Sequence, residues 1–121
     1  MSTRFKIKRG AQENLSVTFD TTNLPSGSLS NLTIEWYVKR TLSQPTVNIF
    51  KTSASGSIVV VDPLTGTSYI SMVQSDTIGL LPGDYIWGFK LYDASKTVVA
   101  LSPDQSNGDL IILDSPATGL V

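Results

Sequence analysis

The sequence contains neither cysteine nor histidine. Without cysteine there is no disulfide framework, no thiolate metal site and no cysteine nucleophile. Without histidine the chain lacks the most common general base and the most common metal ligand. Neither absence identifies a compartment, although a cysteine-free chain fits synthesis in a reducing cytoplasm. Catalysis and metal binding of the usual kinds therefore have few residues to draw on.

Charged residues are also scarce, at 16% of the chain against about a quarter in a typical soluble domain. The net charge is −1, so no global field draws the protein to nucleic acid or to an anionic membrane. No apolar run approaches the roughly 18 residues that span a bilayer. The basic start, MSTRFKIKRG, lacks the apolar centre of a secretory signal. We therefore expect no membrane and no nucleic acid among the partners.

The sequence does contain repeated alternation of apolar and polar residues, the period of a half-buried strand rather than of a helix. The clearest alternating stretches are Arg4–Arg9, Asn14–Asp20, Asn31–Lys39 and Asp84–Leu91. Shorter candidate strands are Val47–Lys51, Ser57–Val61, Thr67–Val73, Thr97–Leu101 and Asp109–Leu113. Segments rich in Gly, Pro, Asn, Asp and Ser separate them, as turns require.

This pattern predicts an all-β fold, an immunoglobulin-like antiparallel β-sandwich of about seven to nine strands with Greek-key connections. It predicts one domain over residues 1–114 and a tail over residues 115–121. The continuous apolar runs Ile58–Val61 and Leu110–Leu113 are expected to be covered on both faces, either by the domain itself or by the domain and a partner. The one helical signal is Ser75–Leu80, with Ser75 as the expected cap of a single turn.

A tyrosine corner is predicted where Pro82 and Gly83 precede Tyr85. The Pro-Gly pair turns the chain into a strand. In Greek-key sandwiches a tyrosine at this place packs inward, and its hydroxyl bonds to backbone a few residues upstream. We predict that Tyr85 reaches the backbone of the segment Ser75–Ile78.

Two tryptophans are candidates for the core. Trp36 stands in the middle of its predicted strand, on the same face as Ile34 and Val38. A central tryptophan on the third strand is the usual core residue of an immunoglobulin-like sandwich, although here no disulfide lies beside it. Alternation places Trp87 in the core as well, with the wall of a surface groove as the alternative. Trp36, Tyr85 and Trp87 are the expected structural anchors.

The acidic residues show no catalytic arrangement, since most of the ten fall in predicted turns or at strand ends. A glycosidase needs two facing carboxylates in a cleft. One loop, SPDQSNGD, contains Asp104, Asn107 and Asp109, whose oxygens suit Ca²⁺, but their spacing is not that of the twelve-residue calcium loop. A polar hairpin loop is the simpler interpretation. We predict no enzyme, no catalytic residue, no cofactor and no metal.

The first predicted strand is unusually basic, with Arg4, Lys6, Lys8 and Arg9 close together. Charges on an edge strand discourage unwanted pairing with other sheets, which is a purely protective interpretation. The alternative is a docking strip for an acidic partner protein. Nucleic acid is a third alternative, although no aromatic residues interleave as a platform for bases.

Three tyrosines, Tyr37, Tyr69 and Tyr92, are predicted to face outward. Exposed tyrosines stack on sugars and anchor protein interfaces, but isolated ones are also ordinary on a protein surface. Tyr37 and Tyr92, together with the four basic residues of the first strand, are the candidate partner-binding residues.

The order of these features resembles a known group of proteins. In chain order they are a basic strand ending in RG (Phe5–Gly10), a strand with Ile34, Trp36 and Val38, the turn LLPGDY (Leu80–Tyr85), the strand YIWGFKLYD (Tyr85–Asp93) and the last segments Thr97–Leu101 and Gly108–Leu113. This order resembles the small immunoglobulin-like proteins of tailed bacteriophages, including the N-terminal domains of baseplate upper proteins. In those proteins a Gly-any-Tyr sequence opens a strand that ends in a Leu-any-Asp turn. The resemblance covers nearly the whole chain and departs from the group at PDQSNG, where its members run straight on.

The resemblance implies a non-enzymatic structural or adaptor protein of the phage tail, baseplate or capsid. Such a protein is made in the host cytoplasm and located in the virion, where its partners are copies of itself and other virion proteins. The segment Ser115–Val121 would then lie on a neighbour, or be disordered. The alternative is a carbohydrate-binding module for host attachment, which needs a coplanar pair of exposed aromatics such as Tyr37 and Tyr92. Another kind of binding domain is a third hypothesis.

Overall fold

The computed structural model describes residues 4–19, 21–22, 24, 27–41, 46–102 and 108–113. Within these ranges nine strands make up most of the regular structure. They are β1 (Arg4–Lys8), β2 (Glu13–Thr18), β3 (Thr33–Lys39), β4 (Ile49–Thr52), β5 (Ile58–Asp62), β6 (Thr67–Met72), β7 (Gly83–Tyr92), β8 (Val98–Ser102) and β9 (Gly108–Leu113). A 3-10 turn over Ser53–Ser55 and the four-residue helix α1 (Gln74–Thr77) lie between strands.

The nine strands form two sheets. The larger sheet has the order β1-β9-β7-β3-β4, with β8 also paired to β7, and the smaller sheet has the order β2-β6-β5. The chain changes sheet after β1, β2, β4 and β6, which is the Greek-key way of dividing sequential strands between two layers. The prediction of an all-β, immunoglobulin-like sandwich is confirmed. One pair departs from the antiparallel rule, because β1 runs parallel to β9.

The strands β8 and β9 lie end to end on the same side of β7. β8 pairs with residues 89–92 and β9 with residues 83–87. The expected last strand is therefore divided in two at the place where PDQSNG interrupts the sequence. Since β1 pairs only with β9, none of the described strands covers the other edge of β8.

The core lies between the sheets and is rich in aromatic rings. Trp36 is fully buried, and Trp87 and Tyr85 are almost so. Phe5 meets the edge of the Trp36 ring with 6.3 Å between centroids, and Phe89 lies 5.2 Å from Trp87 in the same manner. All three anchors are thus core residues, and the surface-groove alternative for Trp87 is wrong. Cross-strand pairing of β3 with β7 explains this, because it puts the inward residues of both strands on one face.

Tyr85 forms the predicted corner with a different partner. Its hydroxyl donates to the carbonyl of Leu81 at 2.8 Å, so an upstream backbone acceptor is confirmed and the segment Ser75–Ile78 is wrong. Gly83 has φ of 137°, a left-handed value that turns the chain so that the Leu81 carbonyl faces the ring. The guanidinium of Arg40 lies 4.8 Å from the centre of the Tyr85 ring and covers it from outside.

The short helix is present, but Ser75 does not cap it. Helix α1 begins one residue before Ser75, and Val73 holds the cap position. The Asp76 carboxylate accepts a hydrogen bond from the Val73 N–H at 2.7 Å, which satisfies one of the free donors at the helix start. Thr77 is fully buried, and its hydroxyl accepts a hydrogen bond from the N–H of Gly10.

The residues that the structure describes do not cover the two continuous apolar runs on both faces. β5 is the edge of the smaller sheet, and a bulge between Val60 and Asp62 turns Val61 outward with 61% of its surface exposed. β9 lies between β1 and β7, with Leu110 buried and Ile111 only half-buried. Among the described residues, no helix is long and apolar enough to cross a membrane.

Candidate functional site

We call Arg4, Lys6, Lys8 and Arg9 the basic strip. The strand that contains most of it, β1, lies at the edge of the larger sheet, as the sequence predicted. Phe5 and Ile7 point into the core, so Lys6 and Lys8 are exposed on the outer face. Arg4 continues the same alternation in the backbone of β1. Arg9 follows the strand and is half-buried, so it does not extend the row of Lys6 and Lys8.

The second group of predicted residues comes together around a glutamate. Tyr37 on β3 and Tyr92 on β7 both lie on the outer face of the larger sheet. The Tyr37 hydroxyl donates to Oε1 of Glu35, and the Tyr92 hydroxyl donates to Oε2 of the same carboxylate at 2.9 Å. Tyr92 pairs in register with Thr33, four residues before Tyr37, so the two tyrosine Cα positions are about 13 Å apart along the strands. The two hydroxyls thus meet at one carboxylate although their strand positions are well separated.

This arrangement changes the acidity of both phenols. Partial burial is the main factor that raises the pKa of Tyr37, followed by the hydrogen bond to Glu35 and the charge of its carboxylate. The hydrogen bond to Glu35 is the main factor that raises the pKa of Tyr92. Both phenols therefore stay protonated and keep donating to the carboxylate over a wider range of pH.

A shallow open cleft of about 240 Å³ lies beside this cluster and is lined by Glu35, Lys90, Tyr92, Lys96 and Val98. The Lys90 ammonium lies 3.9 Å from Oε1 of Glu35 and 5.9 Å from the centre of the Tyr37 ring. Lys96 makes no ion pair with any residue that the structure describes. The cleft thus contains one carboxylate already bound by two phenols, two ammonium groups, an aromatic ring and an aliphatic side chain. We name this group of five residues the Glu35 cleft.

An aromatic pair extends the outer face toward β4. Phe50 is 48% exposed and its ring lies 5.2 Å from that of Tyr37, its direct neighbour in the sheet register. On the opposite side of the same strand, Lys51 points inward and is buried. Its ammonium lies 2.6 Å from the carboxylate of Asp76. An inward-pointing charge on an edge strand is a known device against strand addition, so we assign this pair a structural role.

The structure separates the basic strip from the Glu35 cleft. Through β9, Lys6 aligns with Asp84 at the start of β7, whereas Tyr92 ends the same strand. Eight residues of extended chain, about 27 Å, lie between Asp84 and Tyr92. The predicted partner-binding residues therefore form two separate surfaces.

Sequence reasoning missed Glu35, Lys90, Lys96 and Val98. Glu35 and Lys90 are direct cross-strand neighbours. An antiparallel alignment of the two longest alternating stretches in the sequence would have placed these two residues side by side. Lys96 and Val98 reach the cleft through the turn after β7 and its bulge, whose geometry the residue types alone do not specify. The proposed calcium loop falls mostly on residues 103–107, outside the described residues. In the described ranges no group of three or more acidic residues is arranged to hold a metal ion.

Comparison with known proteins does not assign the chain to a family. No family model matches the sequence, and no curated protein matches it.

Proposed function

We propose that this protein is a non-enzymatic structural or adaptor module of a tailed-phage virion, in the tail, the baseplate or the capsid, and that it works by assembling with copies of itself and with other virion proteins. The location in a virion rests on the resemblance in the order of strands and turns. The assembly rests on an observation of the fold, the unequal charge of its two sheets.

The larger sheet is basic and the smaller sheet is acidic. Strands of the larger sheet carry six basic residues (Arg4, Lys6, Lys8, Lys39, Lys51, Lys90) and three acidic ones (Glu35, Asp84, Asp109). Strands of the smaller sheet carry Glu13 and Asp62 and neither Lys nor Arg. Even without the buried Lys51, the strands of the two sheets have net charges of opposite sign.

Opposite faces of one subunit that attract each other favour a head-to-tail contact between copies. Such a contact repeats, and it closes into a ring or continues as a stack, depending on the rotation between subunits. Rings and stacks are the forms from which tails and baseplates are built. Exposed charges attract mostly over a Debye length, about 8–10 Å at physiological salt, so this association should weaken as salt is added.

The test is the native mass of the purified protein at several salt concentrations. We expect multimers at low ionic strength that dissociate toward the monomer near 1 M salt. The double variant Lys6→Thr, Lys8→Thr removes two positive charges from the basic face and should shift the equilibrium toward the monomer. The double variant Ser16→Asp, Thr18→Asp changes the net charge by the same amount at exposed positions of the smaller sheet, and it should not shift the equilibrium toward the monomer.

A monomer under all salt conditions would contradict assembly through these faces. An equal shift toward the monomer in both double variants would show that only net charge matters. The virion location has a separate test, the detection of this chain by mass spectrometry among the proteins of purified phage particles. Its absence from particles would contradict the location even if the protein assembles.

A second candidate function is carbohydrate binding during host attachment. The observation that favours it is the Glu35 cleft, where an aromatic ring and a fixed carboxylate lie side by side on the solvent-facing side of a sheet. Aromatic rings contact the apolar faces of sugars, and carboxylates accept hydrogen bonds from their hydroxyls. A glycan array tests it, and binding that is lost in Glu35→Ala would support it.

A further inference from the structure

We propose that the Glu35 cleft binds an acidic sugar, a saccharide unit that carries both hydroxyl groups and a carboxylate. This inference rests on the second candidate function, carbohydrate binding, and adds the class of ligand to it. It is argued from the contents of the cleft, namely two ammonium groups, one carboxylate with free acceptor capacity and an aromatic ring beside an aliphatic side chain.

The ammonium groups favour a negatively charged ligand. The nearest acid to Lys90 is Glu35 at 3.9 Å, the outer limit for an ion pair, and Lys96 has no acidic partner among the described residues. Two cations therefore line the cleft beside a single anion, in a chain whose net charge is −1. A ligand carboxylate between Lys90 and Lys96 would form charge-assisted hydrogen bonds, which are stronger than neutral ones.

Glu35 distinguishes an acidic sugar from a plain carboxylate. A carboxylate has about four acceptor positions, and the Tyr37 and Tyr92 hydroxyls occupy one on each oxygen. The remaining positions suit sugar hydroxyls, which donate. An acidic amino-acid side chain has no hydroxyl to donate to Glu35, so no hydrogen bond would offset the repulsion between the two carboxylates. The phenols also hold the Glu35 carboxylate in place, so a ligand need not order it on binding.

The size and the apolar walls of the cleft fit one sugar ring. Its volume of about 240 Å³ is slightly below the usual range for sites that enclose drug-sized ligands, about 300–1,000 Å³. Tyr92 and Val98 offer apolar surface to the C–H groups of a sugar, with Val98 48% exposed. A single ring in an open cleft implies weak binding, which repetition of the subunit in an assembly would strengthen through avidity.

The test compares two ligands that differ only at C6, which is a carboxylate in methyl β-D-glucuronide and a hydroxymethyl group in methyl β-D-glucoside, by NMR titration of the intact protein. We expect the glucuronide to shift the amide signals of residues 90–98 and to bind about fivefold to tenfold more tightly than the glucoside, with the difference shrinking as salt is added. Lys96→Gln should remove most of this preference. Lys39→Gln, on the same face and outside the cleft, should leave it unchanged.

The possible results distinguish the acidic-sugar inference from the broader proposal of carbohydrate binding. Equal binding of both ligands at the cleft would contradict the acidic-sugar inference and leave carbohydrate binding standing. Binding of neither would contradict both. Cyclohexanecarboxylate serves as a control with one carboxylate, a six-membered ring and no hydroxyls. If it binds as tightly as the glucuronide, the cleft recognises any carboxylate and the acidic-sugar inference is wrong. Glu35→Gln removes the repulsion between carboxylates, so it should improve binding of cyclohexanecarboxylate and reduce the preference for the sugar.

Discussion

The two central strands of the larger sheet, β3 and β7, have an inner and an outer face with opposite chemistry. On the inner face Trp36 and Phe89 are direct cross-strand neighbours, both buried. On the outer face, one residue before Trp36 and one residue after Phe89, Glu35 and Lys90 are neighbours and both are partly exposed. Contacts between aromatic rings stabilise the inner face, whereas hydrogen bonds and an ion pair connect the side chains of the outer face. The alternation of side chains along the same two strands thus separates a packed core from the proposed binding surface.

The contrast extends to polar atoms. The indole N–H of Trp36 is buried and has no hydrogen-bond partner among the described residues, whereas its ring packs against Phe5 and Phe89. On the outer face both oxygens of Glu35 are hydrogen-bonded. A substitution should therefore cost more stability on the inner face than on the outer face.

The largest effect is expected from Trp36→Ala, which removes a completely buried ring. Loss of its contacts and the remaining cavity should lower the free energy of unfolding by about 3–5 kcal/mol. Chemical denaturation measures this. Trp36→Phe serves as the comparison, since it keeps an aromatic ring and loses an N–H that has no described partner, and it should cost clearly less. An equal cost for both substitutions would mean that the indole N–H is bonded in solution.

Disruption of the buried Lys51–Asp76 pair should have the next largest effect. Asp76→Ala leaves the Lys51 ammonium buried without its carboxylate and removes the acceptor of the Val73 N–H. A loss of about 3 kcal/mol is expected from breaking one side of a buried pair. Lys51→Met together with Asp76→Ala should recover part of the loss, because it removes the unpaired charge. Thermal unfolding of the single and double variants forms the test, and the absence of any recovery would contradict a buried ion pair.

The sequence predicted the inner face better than the outer one. Alternation places Trp36, Tyr85 and Trp87 in the core without knowledge of which strands pair, because burial depends only on which face a residue shares. The Glu35 cleft requires the register of β3 with β7 and the bulge after Leu91, and these follow from long-range pairing that local composition does not encode. The Tyr85 partner was misplaced for a similar reason, since the turn at Gly83 decides which carbonyl faces the ring.

A smaller effect is expected from Tyr85→Phe, which removes only a hydroxyl. The hydrogen bond to the Leu81 carbonyl is lost, and that carbonyl remains partly buried. A cost of about 1 kcal/mol follows from the usual net value of such a bond. The ring and its contact with Arg40 remain, so the fold should be unchanged by circular dichroism while the melting temperature falls. An unaltered melting temperature would contradict a stabilising corner.

The smallest expected effect is a loss of the stability that the outer face contributes, and it appears only at alkaline pH. The pKa of Tyr37 and that of Tyr92 are raised in the folded protein, mainly by burial for Tyr37 and by the hydrogen bond to Glu35 for Tyr92. The unfolded chain therefore releases these protons first. Stability that the two phenols contribute is fully present below the ordinary tyrosine pKa of 10.0 and is lost as the pH rises through the folded values.

Urea unfolding at pH 8 and at pH 11 should show this loss, and the parent protein should lose more stability between the two than the double variant Tyr37→Phe, Tyr92→Phe. Because the variant keeps both rings, the difference isolates the hydroxyls. Tyr69→Phe is the matched control, since Tyr69 lies on the smaller sheet away from Glu35, and it should retain the alkaline sensitivity of the parent. If the double variant is as sensitive as the parent, the phenols do not donate to Glu35 in solution. Their hydrogen bonds then do not hold the Glu35 carboxylate in place on the outer face.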